Sequence, residues 1–126
     1  MTNGTENNKI YLVDDDRIVC HSLGLILRKS GYVVDVYYSA EAFLEQYEDT
    51  DTGFLVVDQC MPGLTGLELQ QVLVEKNANL KVIFITAMHE TVNEVALKNG
   101  AIKVFEKPFD PKGLVDLLGS QVTLYE

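Results

Sequence analysis

Three carboxylates, a hydroxyl and an ammonium carry the chemistry that this 126-residue sequence can offer. Each follows a short apolar run: Asp14 and Asp15 come after IYLV, Asp58 after FLVV, Thr86 after VIFI, and Lys107 after IKVFE. If those runs lie side by side, all five side chains gather at one edge. Two carboxylates about 5 Å apart repel by about 3 kcal/mol at an effective dielectric near 20, so three of them need a counter-charge. A divalent cation supplies it. Magnesium suits the set because it binds through one or two carboxylates, keeps waters, and takes further ligands from phosphate oxygens. Lys107 adds a fixed positive charge and Thr86 a hydroxyl, which fits the edge to hold a phosphoryl group passing to a carboxylate.

The elements that would position these groups alternate along the chain. Ile10 to Val13, Val33 to Tyr38, Phe54 to Val57, Lys81 to Thr86 and Ile102 to Glu106 read as strands. Between them lie helical patterns. Val19, Leu23, Ile26 and Leu27 share a face closed by Gly31, and Ser39 is an N-cap ahead of Ala42, Phe43 and Tyr47. Thr65 and Glu68 form a capping box, with Leu64 and Leu69 as its hydrophobic staple, opening a helix from about Gly66 to Lys76. Val92, Val95 and Ala96 mark a fourth helix ending at Gly100, and Asp110 before Pro111 opens a last one with Leu114, Leu117 and Leu118. Five strands alternating with five helices predict a doubly wound, flavodoxin-like (βα)5 α/β fold whose parallel sheet is covered on both faces. Strand order 2-1-3-4-5 would put the first and third strands together and bring Asp14, Asp15 and Asp58 into one crevice beyond the carboxyl ends.

Composition narrows the function. The chain is 47% hydrophobic, enough for one domain with one core. Its formal net charge of -9 with no Lys/Arg cluster argues against direct contact with nucleic acid or an anionic membrane. Cys20 and Cys60 show no metal or redox spacing, His21 and His89 have no triad or zinc partner, and no signal peptide or membrane-length apolar stretch is present. A soluble protein of the reducing cytoplasm is expected. The polar, Asn-rich residues 1–8 predict a loose arm, leaving 9–126 as the domain.

In order and each at a strand end, these positions resemble the receiver domain of two-component response regulators: Asp14 and Asp15 after LV, Asp58 in LVVDQCMPGLTG, Thr86 in FIT, and Lys107 in EKPF. The MPGLTG, AEAFL and EKPF segments are most similar to the FixJ-like branch, whose members usually carry a LuxR-type DNA-binding output domain. No such domain follows here, which suits either a cut-out receiver or a single-domain regulator. The resemblance implies that Asp58 accepts phosphate from a histidine kinase, or from a phosphotransfer protein, and assists its own phosphorylation and dephosphorylation without being an enzyme otherwise. It implies that Asp15, Asp58 and the backbone carbonyl of Cys60 hold Mg2+, with Asp14 acting through a water. Lys107 would pair with the phosphoryl oxygens ahead of a cis bond to Pro108, and the Thr86 hydroxyl would move to the phosphate, with a homodimer as a possible consequence. One position departs from the pattern: Val104 stands where the family usually has an aromatic, and Phe105, one step on, must face the other side of the strand.

Other readings remain. Singly, the acidic run is an N-cap and Asp58 before Met61, Pro62 and Gly63 a turn residue. A haloacid-dehalogenase-like phosphohydrolase would use Asp14 as nucleophile in a DxD with Asp16, but it leaves Asp58 without a role. A mononucleotide binder needs a Gly-, Ser- or Thr-rich phosphate loop where this chain is acidic. An interaction-only pseudo-receiver would lack an essential position, and none is missing. Finally, Ile18 and Leu25, with Ser22 between them, fall outside the apolar stripe of the first helix and predict an exposed docking face for the phosphodonor.

Overall fold

The computed structural model describes residues 8–122. Five strands, β1 (Lys9–Val13), β2 (Val33–Tyr37), β3 (Thr52–Val57), β4 (Asn79–Thr86) and β5 (Lys103–Glu106), alternate with five helices. The helices are α1 (Arg17–Lys29), α2 (Ala40–Gln46), α3 (Gly66–Glu75), α4 (His89–Lys98) and α5 (Pro111–Val122). All strand pairs are parallel, in the order β2-β1-β3-β4-β5, as the alternation predicts. The N-terminal arm expected over residues 1–8 lies almost wholly outside the described residues.

Period-two alternation divides the sheet between two apolar layers. Ile10, Leu12, Phe54, Val56, Ile83 and Ile85 face α1 and α5, where Cys20, Leu23, Leu27, Leu114 and Leu118 meet them. Tyr11, Val13, Leu55, Val57, Phe84 and Val104 face the opposite layer, with Ala40 and Phe43 of α2, Leu69 and Leu73 of α3, and Val92 and Ala96 of α4. Register aligns Val13, Val57, Phe84 and Val104 in one row across four strands. Because Val13 and Val57 are partners, Asp14 and Asp58 leave adjacent strands at the same height.

Several elements differ in detail from the periodicity. β3 and β4 begin at Thr52 and Asn79, two residues ahead of their apolar runs, because ladder hydrogen bonding continues past the point where side chains cease to be apolar. The face of α1 is rotated: Cys20, Leu23, Gly24 and Leu27 are buried, whereas Ile26 is 37% exposed. Cys20 packs into the layer under the sheet, while Gly24 lies beneath the Arg28 guanidinium, which a Cβ there would meet at 3.3 Å; a count of large apolar residues overlooks both. Val95 of α4 is likewise exposed, leaving Val92 and Ala96 as its buried stripe.

The caps at Ser39, Thr65 with Glu68, and Asp110 are as the sequence predicts, and the last acid of the 14–16 run caps α1. Asp16 accepts from the Ile18 and Val19 amides at the start of α1, Ser39 caps α2, and Thr65 with Glu68 closes the capping box of α3. Asp110 accepts from the Lys112 amide at 2.9 Å ahead of α5. Between helices, the Gln70 amide of α3 donates from Nε2 to the Ala96 carbonyl of α4 at 3.0 Å, in a buried setting.

Candidate functional site

The sheet delivers the predicted groups to its carboxyl edge. Asp14 follows β1 and is fully buried; its amide donates to the Tyr37 carbonyl at 3.1 Å, which fixes it to the end of β2. Its carboxylate accepts from the Asp16 amide at 3.0 Å through Oδ1 and from Lys107 Nζ at 2.8 Å through Oδ2. The Cys20 thiol donates to the Asp14 carbonyl at 3.2 Å, and burial, then Asp14, push its pKa up to about 12, so it is a packed, protonated group. Asp15 is exposed at the rim of the same edge.

Asp58 follows β3, anchored by its amide to the Val13 carbonyl at 3.1 Å, and is 6% exposed. Lys107 Nζ reaches its Oδ2 at 3.4 Å. Carboxylate oxygens of Asp14, Asp15 and Asp58 all lie within 4.8 Å of one another. Burial, followed by the charge of Asp14, raises the Asp58 pKa above the ordinary value, against the lowering effects of Lys107 and the Cys60 N–H. Burial by itself would lower the Lys107 pKa, but the hydrogen bond and charge of Asp14, then Asp58, hold it above its ordinary value. Three hard oxygen donors with one ammonium among them therefore fit a magnesium ion: Lys107 leaves part of the negative charge uncompensated.

Thr86 ends β4 with its side chain fully buried, and its hydroxyl oxygen accepts from the Met88 amide at 3.0 Å. The Thr86 carbonyl accepts from the Lys107 amide at 2.9 Å, tying β4 to the lysine. The Lys107–Pro108 bond is cis. Cys60 is exposed in the β3–α3 loop, and its thiol contacts the Met88 sulfur at 3.0 Å, joining that loop to the one after Thr86. Val104 is 4% exposed in the α2–α3–α4 layer, while Phe105 lies on the opposite face, its ring 5.5 Å from Phe109.

Sequence reasoning missed the side chains that hold the β3–α3 loop. Gln59 Oε1 accepts from the Leu67 amide at 2.8 Å, and Glu41 Oε2, on α2, accepts from the Leu64 amide at 2.8 Å. Gly66 starts α3 so close to the acid that a Cβ there would lie 2.5 Å from the Asp58 carbonyl. Only the MPGLTG pattern hinted at this fit. The phosphohydrolase reading finds no support: Asp14 is buried behind Lys107, and Asp16 is occupied as the cap of α1.

Residues 10–119 match the family model of the response regulator receiver domain. The chain is 38% identical over 111 residues to the transcriptional regulatory protein FixJ of Azorhizobium caulinodans, covering 87% of this chain and 53% of that protein. It is 37% identical over 116 residues to the response regulator protein TmoT of Ectopseudomonas mendocina, covering 91% and 51%. The crystal structure of FixJ-N superposes with a TM-score of 0.81 at 32% identity, covering 94% of each chain. The chain thus spans about half the length of the full-length relatives it matches.

Proposed function

This chain belongs to the response regulator receiver domain family, and on that basis we propose that Asp58 is its phosphoacceptor, charged by a histidine kinase or a phosphotransfer protein. The observation that carries the reading is Lys107, whose Nζ stands 2.8 Å from Asp14 and 3.4 Å from Asp58. The longer contact leaves Asp58 free to react, while the shorter one holds the ammonium at hand for phosphoryl oxygens. In the transfer, an Asp58 oxygen attacks phosphorus and the P–N bond to the donor histidine breaks. The imidazole leaves with that electron pair and takes a proton.

Magnesium, when bound, neutralises charge on the carboxylates and the phosphoryl oxygens. Asp15, Asp58 and the Cys60 carbonyl would hold it directly. Asp14 already accepts from Lys107 and from the Asp16 amide, which favours its acting through a water. Thr86, now engaged with the Met88 amide, is the hydroxyl that would turn toward phosphate and shift the loop after β4.

The donor docks, in this reading, on the groove between α1 and the start of α5. Ile18 is 78% exposed there, and Val19, Ser22, Ile26, Pro108 and Phe109 line a cavity of about 420 Å³. Leu25, though exposed, does not line it. Phosphorylation would promote a homodimer, and the full-length relatives' name as transcriptional regulators supports a DNA-binding output, of LuxR type, beyond this domain. Among the described residues no helix is long and apolar enough to cross a membrane, in keeping with action in the cytoplasm.

Mass spectrometry after treatment with acetyl phosphate tests the acceptor. Phosphate should map to Asp58, require a divalent cation, and vanish in Asp58→Asn. Label on Asp14, or hydrolysis of generic phosphate esters by Asp58→Asn, would overturn the reading.

A further inference from the structure

The β3–α3 loop is fixed at both ends by backbone hydrogen bonds. At one end the Asp58 amide binds the Val13 carbonyl at 3.1 Å; at the other the Gly66 amide binds the Gln59 carbonyl at 3.1 Å, beside the capping box of Thr65 and Glu68. Its middle is held from elsewhere. Glu41, in the first turn of α2, receives the Leu64 amide on Oε2 at 2.8 Å. The same carboxylate lies over Gly63: a Cβ added there would stand 2.5 Å from Glu41 Oε2, and Gly63 has φ +80, a conformation that suits glycine. The bare glycine therefore makes the room in which the carboxylate sits.

As an acid in the first turn, Glu41 could merely complement the dipole of α2. That end is already capped, however, by the Ser39 hydroxyl accepting from the Ala42 amide at 3.0 Å. α2 itself is anchored by Ala40 and Phe43, both buried. Glu41 thus connects a rigid element to the segment bearing Cys60, whose N–H acts to lower the Asp58 pKa and whose carbonyl is the third metal donor in the reading above.

We propose that Glu41 is a positioning residue for the phosphoryl site, fixing the β3–α3 loop through Leu64 so that the Cys60 carbonyl keeps its place beside Asp58 as a metal donor. The proposal rests on Asp58 being the acceptor. Partners that orient metal donors are commonly worth 10- to 100-fold in affinity or activity. Glu41→Ala should therefore slow phosphorylation by acetyl phosphate about 10-fold at limiting magnesium, with much of the loss recovered at saturating magnesium. Glu41→Gln keeps an oxygen that can accept from Leu64 and should retain most of the rate.

The experiment follows phosphorylated fraction against time by mass spectrometry over a magnesium series, and reads Leu64 amide exchange by NMR. Faster Leu64 exchange and a magnesium-dependent rate loss in Glu41→Ala, both rescued in Glu41→Gln, support the role. An unchanged rate in Glu41→Ala overturns it, and so does an equal loss in Glu41→Gln, which would point to charge instead. If Glu41→Ala fails to fold, Glu41→Met serves in its place, since it keeps the length of the side chain but has no oxygen to accept from Leu64. It should show the same magnesium-dependent loss, and an unchanged rate in Glu41→Met overturns the role. Wild-type protein that takes no phosphate on Asp58 would fail the acceptor reading and this proposal together. Labelled wild type beside an indifferent Glu41→Ala fails only the proposal.

Discussion

Asp58 holds its charge at a cost, since burial and then Asp14 raise its pKa above the ordinary 3.8. A carboxylate raised in this way binds its proton more tightly in the folded than in the unfolded chain. Its contribution favours the fold below pH 3.8 and is lost as the pH climbs through the elevated folded value, so at neutral pH the ionised group burdens the fold. Asp58→Asn should therefore raise the Tm of the metal-free protein at pH 7, with a margin that shrinks as the pH falls through that window. Magnesium should raise the wild-type Tm at pH 7, by about 2.7 kcal/mol of stability at one hundred times its Kd, and raise that of Asp58→Asn much less. Melts followed by circular dichroism check both. A lower Tm for Asp58→Asn, or an equal magnesium effect in the two proteins, would contradict the electrostatic account. The gathering of the five candidate residues at one sheet edge was legible because each follows an apolar run; the Glu41 contact was not, since nothing in the sequence links it to Leu64 across the intervening helix and strand.

At the scale of elements, β4 and β5 present Thr86 and Val104 to one layer and turn Phe105 to the other. Val104 is β-branched and buried in the row with Phe84, so it has few rotamers with which to follow a change at Thr86. The switch should then run through Thr86 and the loop from Ala87 to Thr91, as a two-state equilibrium biased by phosphate. Thr86→Ala should uncouple dimerisation from phosphorylation, while Val104→Ala should cost about 2 kcal/mol for two buried methyl groups and leave the coupling intact. Sedimentation of the phosphorylated variants decides, and a Thr86→Ala protein that still dimerises on phosphorylation would refute this route. Strand existence and order were legible because buried parallel strands read as continuous apolar runs and helical crossovers restrict their arrangement. The rotation of α1 was not, because two of its four buried positions, Cys20 and Gly24, carry little apolar surface of their own.

For the molecule as a whole, the two faces of the sheet are covered differently. The α1 and α5 face leaves Ile18 and Ile26 uncovered beside Pro108 and Phe109, and a donor seated there would approach Asp58 from the side of Lys107. Ile18→Asp should slow transfer from the cognate kinase at least about 10-fold, the scale of losing one anchoring contact, and leave labelling by acetyl phosphate unchanged. Equal transfer from the kinase to wild type and Ile18→Asp, with folding intact, would place the docking face elsewhere.

The opposite face holds α4 unevenly. Near its C-terminal end the buried Gln70 amide grips the Ala96 carbonyl, whereas Met88 begins the helix with no side-chain cap and rests on the Thr86 hydroxyl. Were phosphate to draw the Thr86 hydroxyl inward, such a helix would turn as a lever about Gln70, and its first turn, around His89 and Thr91, would sweep the longest arc.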